Sequence, residues 1–481
     1  MIPPILLITY PDSMGGDIPT LKHILDTRFS KAVGQVHLLP FYPSSGDRGF
    51  APLRYDQPDP AFGVWADVEA LAREYGLMCD FMINHISRQS PYCQDYLQNK
   101  DASPWRDLFI RWREFWPGGA PSPEQLSLIY KRKPRAPHVT ARFADGTTEE
   151  LWCTFGEEQL DLNLKTGIGR RFVEDNLSAL ARHGAAAVRL DAFAFSTKRA
   201  GTNCFFVEPE IWEMFRWVEA ILAPYGTRLL PEIHKGPAVQ QKLALHGYWT
   251  YDFCLPMLVL HALYSGSAAH LADWLNRCPR RQYTTLDTHD GIGVTDVEEL
   301  LSPDEIAFTK ERIFTQGKDV KPEYNTPDYN NLDIYQVNCT YYSALGARDN
   351  AYLTARAIQF FAPGVPQVYY VGLLAGENDL EQLERTREGR RVNRHNYTPE
   401  EIDRALKKPV VQRLLRLMRW RNACPAFDEE ASCTAAAPQP HLLEVTRAWN
   451  GAEAKLQADL RAASFQINTR EEGGAWKPLE F

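Results

Sequence analysis

Eight short, near-continuously apolar runs, bounded by Gly, Pro or Asp and separated by helix-patterned stretches, constrain this chain more than any other feature. They are Ile5–Tyr10, Gln35–Leu39, Leu77–Ile83, Ala187–Leu190, Arg228–Ile233, Trp249–Phe253, Tyr283–Leu286 and Val365–Val371. A half-exposed strand alternates apolar and polar side chains, whereas a strand covered on both faces does not. The runs are of the second kind and predict parallel strands. Between them, Ile211, Phe215, Val218 and Leu222 share one helical face that stops at Pro224 and Gly226, and Phe172, Val173, Leu177 and Leu180 share another that stops at Gly184. Strand and helix alternating eight times predict a closed α/β barrel, the (β/α)8 TIM barrel, rather than an open doubly wound sheet.

Two connections, 84–186 and 291–364, are too long for simple turns, and each predicts an inserted subdomain. Both follow strands, so both overhang the C-terminal face, where such barrels keep their chemistry. Past Arg421 the helical pattern stops, and His441–Trp449 and Ala463–Asn468 read as strands of a small all-β appendage. The expected organisation is a barrel in three parts (1–83, 166–290 and 348–427), inserted domains at 84–165 and 291–347, and a C-terminal β domain at 428–481.

The net charge of −8 argues against a nucleic-acid partner, because a protein that neutralises phosphates carries a basic surplus. No apolar run is long enough to span a bilayer, and the first strand begins within a few residues of Met1. The expectation is a cytoplasmic protein without membrane contact. Nine scattered cysteines with no CxxC pair predict buried free thiols, not a disulfide framework or a zinc site.

Three acids stand at predicted strand ends. Asp191 follows Val188-Arg189-Leu190, Glu232 lies in Leu230-Pro231-Glu232-Ile233-His234, and Asp290 closes Asp287-Thr288-His289-Asp290. Alone, each reads equally as a solvated loop acid or a helix cap. In a barrel their strand ends converge on one mouth. Retaining glycosyl transfer needs a carboxylate nucleophile and a carboxylic acid about 5 Å apart. A third carboxylate binds the sugar more tightly as its ring becomes positive, which lowers the barrier. Arg189, two residues before Asp191 on the same strand face, is expected to keep Asp191 ionised. Glu232, buried near other carboxylates, is expected to have a raised pKa.

The blocks Asp80-Phe81-Met82-Ile83-Asn84-His85, Arg189-Leu190-Asp191, Glu232-Ile233-His234 and Thr288-His289-Asp290 resemble, in order and spacing, the four motifs of the α-amylase superfamily. The segments Ile8–Ser13, Pro43–Phe50, Asn330–Gln336 and Pro366–Gly372 are similar to the bacterial sucrose phosphorylases, and the resemblance runs from about Ile5 to Phe427. It implies Asp191 as nucleophile, Glu232 as acid/base and Asp290 as transition-state stabiliser. It implies sugar contacts from Asp47, His85, Arg189, His289 and Arg390, with His234 beside them, and apolar faces from Phe50 and Phe155. Leu332, Asp333, Tyr335 and Gln336 match a loop that touches fructose or phosphate in such proteins. Phe195 stands where related sequences commonly have Tyr, which removes a hydroxyl from that position.

The implied reaction is reversible phosphorolysis of sucrose by inorganic phosphate to α-glucose 1-phosphate and fructose, with net retention, by a monomer or homodimer with no cofactor and no metal. An amylase-type calcium site is not expected, since Asn84 lacks an oxygen-rich cluster in the neighbouring sequence. A chain of net charge −8 must attract phosphate locally, and Arg132, Lys133 and Arg135 in the first insert are the candidates. A basic run can equally be a solvated face. A sucrose 6′-phosphate phosphorylase, a glucosylglycerol phosphorylase and a sucrose hydrolase share the barrel and trio and differ in acceptor. The Leu332–Gln336 stretch favours unmodified fructose. A non-catalytic amylase-like binding protein is a remote reading, since all three acids are present.

Overall fold

The computed structural model describes residues 1–317 and 336–480. Its centre is a parallel sheet of strands β1 (Leu6–Thr9), β2 (Gln35–Leu38), β3 (Gly76–Met82), β4 (Ala187–Asp191), β5 (Arg228–Pro231), β6 (Thr250–Asp252), β7 (Gln282–Thr284) and β8 (Val365–Tyr369). The hydrogen-bonded order is β6-β7-β8-β1-β2-β3-β4-β5, with every neighbouring pair parallel. That is chain order started at a different strand, which is the order of a (β/α)8 barrel. All eight predicted runs are present, although β6 and β7 are three residues each, shorter than their apolar patterns predicted.

The expected helices form on the predicted faces. Gly167–Arg182 buries Phe172, Val173, Leu177 and Leu180, and its start is capped by Thr166, whose hydroxyl accepts from Gly169 N at 3.2 Å. Glu210–Leu222 buries Ile211, Phe215, Val218 and Leu222. A 3-10 turn over Ala223–Tyr225 follows, and Gly226 ends it at φ 69°, in the left-handed region that a Cβ disfavours.

Register delivers the chemistry to one end. Asp80 of β3 lies opposite Arg189 of β4, Met82 opposite Asp191, and Leu190 opposite Pro231 of β5. Asp80, Arg189, Asp191 and Glu232 are thereby gathered across three adjacent strands.

No backbone ladder joins β5 to β6 among the described residues. A side chain bridges the two instead. Gln240, 2% exposed on the helix Pro237–Leu245, donates to Ile233 O beyond β5 at 3.0 Å, and its carbonyl accepts the hydroxyl of Thr250 on β6.

The segment after β3 carries the antiparallel pairs His85–Ser87 with Gln159–Asp161 and His138–Arg142 with Thr148–Trp152. Ile110, Trp112, Trp116, Ile129 and Trp152 form an apolar cluster separate from the main core. After β7, Ile292–Gly293 pairs with Gln336–Val337.

The C-terminal sheet is an antiparallel meander of Ser432–Gln439, Leu442–Trp449, Ala452–Asp459, Ser464–Arg470 and Lys477–Leu479. It docks on the barrel helix Ala269–Arg277 through a reciprocal pair: Asn276 Nδ2 donates to Ala435 O at 2.8 Å, and Ala435 N donates to Asn276 Oδ1 at 2.9 Å. The strands Ser432–Gln439 and Ala452–Asp459 escape a pattern reading because Ala, Lys, Glu and Gln are weak strand formers, held here by pairing on both sides or by docking. No helix among the described residues is long and apolar enough to cross a membrane.

Replacing Gln240 by Ala leaves Ile233 O and the Thr250 hydroxyl buried without this partner, a cost of about 2 kcal/mol. The urea midpoint of the variant is expected to fall accordingly. An unchanged midpoint would show that the β5–β6 junction does not depend on this side chain.

Candidate active site

Arg189 is the centre of the site. Its guanidinium lies 2.5 Å from Asp80 Oδ1, 3.2 Å from Asp191 Oδ1 and 3.5 Å from Glu232 Oε1. Asp80, fully buried, is held on its other oxygen by His37 Nε2 at 2.7 Å. Asp191 and Glu232, at the ends of β4 and β5, thus face each other across one cation. Directly after Asp191 the backbone turns left-handed at Ala192 (φ 54°), a conformation that costs an L-residue on the order of 1 kcal/mol. The turn aims Ala192 N–H at Glu232 Oε2, 2.9 Å away.

Asp290 follows β7 on the opposite wall. Arg390 lies 3.2 Å from its Oδ1 and Arg394 3.8 Å, while His289 Nε2 is 3.4 Å from Oδ2. Arg390 also reaches Asp47 at 3.4 Å. Asp47, Arg48 and Gly49 form a left-handed run with φ of 46°, 47° and 106°. A Cβ on Gly49 would come within 2.8 Å of Pro40 O, so the run needs glycine there. Phe50 follows, its ring stacked on His289 at 4.9 Å and 3°. His85 Nε2 and Gln159 Nε2 both reach Phe50 O, at 2.9 and 3.0 Å, and fix that ring's backbone.

The electrostatics divide the acids. Burial opposes charge on Asp290, but Arg390, His289 and Arg394 outweigh it and hold the carboxyl far below the usual range. Burial leaves His289 neutral, with its pKa lowered to about 3. The Asp191–Glu232 pair departs from the sequence expectation. Burial would raise Glu232, yet Arg189 and His234 bring it down to about 2. Asp191 instead is pushed up, by burial and then by the Glu232 charge, with Arg189 opposing. The reason is His234, whose Nε2 lies 3.0 Å from Glu232 Oε1 and whose Nδ1 lies 3.1 Å from Asp296 Oδ2. Burial disfavours its charge, but Asp296 and Glu232 raise it to about 10. An imidazolium between two carboxylates gives Glu232 a cation that Asp191 lacks, so the two carboxyls are pushed in opposite directions.

These walls enclose a cavity of about 920 Å³ lined by Asp47, Phe50, His85, Phe155, Asp191, Glu232, His234, His289, Asp290 and Arg390. Arg132 and Lys133 line it too. Arg135 does not share their position: its terminal nitrogens donate to Ala136 O, His138 O and Phe155 O at 2.9, 3.2 and 2.9 Å, so it braces the loop that carries Phe155. Gln336 pairs with Gly293 outside the lining of this cavity, and Leu332, Asp333 and Tyr335 lie outside the described residues. Asn84 Oδ1 accepts from Lys198 Nζ at 2.8 Å, and the same ammonium lies 2.7 Å from Asp161 Oδ2. A side-chain cation thus already serves these oxygens.

Asp296, Tyr130 and Phe205 were not legible in the sequence. Asp296, which holds His234, has no spacing signal. Tyr130 and Phe205 meet Phe195 at ring distances of 6.0 and 4.8 Å, and Phe155 meets it at 5.2 Å. Phe195 therefore belongs to an aromatic wall assembled from three chain segments. Arg394 carried a weak signal, as the last of the arginines at 387, 390, 391 and 394.

A parallel barrel with three acids at the C-terminal ends of its strands and an insert after β3 defines the class of α-amylase-type barrels. The family profile for the α-amylase catalytic domain matches residues 25–220. Over 469 residues the chain is 49% identical to the sucrose phosphorylase of Streptococcus mutans, covering 97% of this chain and 98% of that one. It is 42% identical over 423 residues to the glucosylglycerol phosphorylase of Marinobacter adhaerens, covering 88% of both. The crystal structure of sucrose 6F-phosphate phosphorylase from Thermoanaerobacter thermosaccharolyticum superposes with a TM-score of 0.93 at 40% identity, covering 100% of this chain and 98% of that one. The chain belongs to the family of sucrose phosphorylase and its sister glycoside phosphorylases, within the α-amylase superfamily.

The His234 charge has a pH signature. Its folded pKa of about 10 lies above the ordinary 6.5, so its stabilisation is full below about pH 6.5 and lost as pH rises toward 10. The gap between the urea midpoints of the wild type and His234→Gln is expected to be widest near pH 6 and to narrow toward pH 10. A gap constant over that range would contradict a charged His234.

Proposed function

We propose that this protein is a sucrose phosphorylase that transfers an α-glucosyl unit from sucrose to inorganic phosphate through a β-glucosyl intermediate on Asp191. The observation that carries the reading is the carboxylate pair Asp191–Glu232 bridged by Arg189 in a cavity whose wall also holds Arg132 and Lys133. The similarity to sucrose phosphorylase over nearly the whole chain supports it.

In the first step an Asp191 oxygen bonds to the anomeric carbon while the bond from that carbon to the fructosyl oxygen breaks, and Glu232 gives its proton to the departing oxygen. This step needs Glu232 protonated and Asp191 ionised, the reverse of the directions in which the empty site pushes them. The leaving-group oxygen is a hydrogen-bond acceptor, so its arrival beside Glu232 favours the arrangement with the proton on Glu232 and the charge on Asp191. In the second step phosphate attacks the same carbon, Glu232 takes the phosphate's proton, and the bond to Asp191 breaks. Two inversions give α-glucose 1-phosphate with net retention.

Asp290, kept ionised by Arg390 and Arg394, binds the sugar more strongly as its ring becomes positive. Asp47, His85, His289 and Arg390 serve as its hydroxyl partners, and Phe50 offers an apolar ring face; Arg189, expected from the sequence to touch the sugar, lies outside the cavity lining and acts through the carboxylates it holds. The wall of Phe155, Phe195, Tyr130 and Phe205 keeps water from the intermediate, which favours phosphate over hydrolysis. Arg132 and Lys133 supply local positive charge within a protein of net charge −8. Nine unpaired cysteines fit a reducing cytoplasmic setting.

Product analysis tests this directly. Sucrose with phosphate should give α-glucose 1-phosphate and fructose, and sucrose 6′-phosphate should be the poorer substrate. Glucose release indifferent to phosphate would replace phosphorolysis by hydrolysis, and a preference for sucrose 6′-phosphate would move the assignment to the sister enzyme. Asp191→Asn should lower turnover on the order of 10⁴-fold. Replacing Arg132 and Lys133 together by Ala should raise KM for phosphate by roughly tenfold, with KM for sucrose nearly unchanged.

A further inference from the structure

On the barrel's helical layer, the helices Leu255–Ser265, Ala269–Arg277 and Pro303–Gln316 bring His261, His270 and Glu305 together. None of the three lines the catalytic cavity. One ligand atom from each lies within 4.8 Å of the others. Glu305 Oε1 is 3.0 Å from His270 Nε2 and 3.6 Å from His261 Nε2. Around a tetrahedral zinc ion with bonds of about 2.0–2.1 Å, neighbouring ligand atoms lie roughly 3.3–3.4 Å apart. The two observed separations straddle that spacing.

The surrounding hydrogen bonds set the protons. Thr309 Oγ1 donates to Glu305 O at 2.7 Å, so its proton is committed and it can only accept from His261 Nδ1, 3.1 Å away. The proton of a neutral His261 therefore sits on Nδ1, and its Nε2 lone pair faces the Glu305 carboxylate. Two electron-rich atoms at that range repel unless a cation lies between them. Glu305 is also preset. Its Oε2 accepts from Ser302 N at 2.8 Å and Ser302 Oγ at 2.9 Å in the helix capping box, which leaves Oε1 toward the histidines. Both ligands thus have the orienting outer hydrogen bond that metal ligands require. His261 is buried, whereas the His270 side chain is 40% exposed and gives an ion access from solvent.

We propose that His261, His270 and Glu305 form a binding site for one zinc-class divalent transition-metal ion, completed by water, that ties three barrel helices together. Two imidazoles and a carboxylate suit zinc, copper or nickel and are a poor set for magnesium or calcium, which prefer all-oxygen shells. The role is structural: a bound ion stabilises the folded chain by mass action.

The test uses the untagged full chain stripped with chelator. Titration with zinc chloride should show one ion per chain and raise Tm, and EDTA should reverse both. Cobalt(II) should give the visible bands of a low-coordinate nitrogen and oxygen site without thiolate charge-transfer absorption, which separates this site from the cysteines. His270→Ala and Glu305→Gln should each weaken zinc binding on the order of 100-fold and abolish the Tm rise. Glutamine keeps the capping box, so the metal-free Tm and the basal activity of Glu305→Gln should stay near wild type. Absence of saturable binding at millimolar zinc would overturn the site, and so would stoichiometric binding that survives both substitutions.

Discussion

Arg189 is 4% exposed, and its guanidinium is shared by Asp80, Asp191 and Glu232 from three neighbouring strands. Charges taken out of water are tolerable only when paired and hydrogen-bonded. This one cation lets three carboxylates approach each other inside the barrel. Removing it would leave buried like charges, a loss on the order of 3–5 kcal/mol before any effect on chemistry. Asp80 and His37 extend the network inward. Burial would raise Asp80, but His37 and Arg189 hold it at about 2, so it remains an anion that anchors Arg189 from outside the lining of the catalytic cavity.

A second tier of charge is built the same way on the far wall. Asp290 takes Arg390 and Arg394, with the neutral His289 beside it, and Asp296 takes His234. Each acid of the trio therefore has a positive partner. One fold can hold one carboxyl well below its ordinary range and another above it because the number of cations around each acid differs: Glu232 has His234 in addition to the shared Arg189, and Asp191 has Arg189 alone. The left-handed turns at Ala192 and at Asp47–Gly49 lie next to these acids, where backbone strain is offset by the ion pairs it makes possible.

The barrel was legible because parallel strands buried on both faces leave unbroken apolar runs, and the trio because its motifs stand in order at their ends. What stayed hidden depends on contacts between distant segments. Glu232 looked like a carboxyl raised by burial, but Arg189 and then His234, itself charged by Asp296 sixty-four residues beyond Glu232, reverse the direction. Arg135 looked like Arg132 and Lys133 in the sequence, and only the fold shows it committed to backbone carbonyls. Gln240 bridging β5 and β6, and the aromatic wall around Phe195, likewise depend on which segments meet.

The most direct measurement concerns where the glucosyl unit is held. Under the proposed roles, α-glucosyl fluoride needs no protonated leaving group, so in Glu232→Gln the first step is expected to proceed while the second, without its base, is slow. Mass spectrometry of the acid-quenched digest should find the peptide containing Asp191 one hexosyl unit heavier. An unlabelled protein, or a hexosyl unit on a different carboxylate, would contradict Asp191 as the nucleophile.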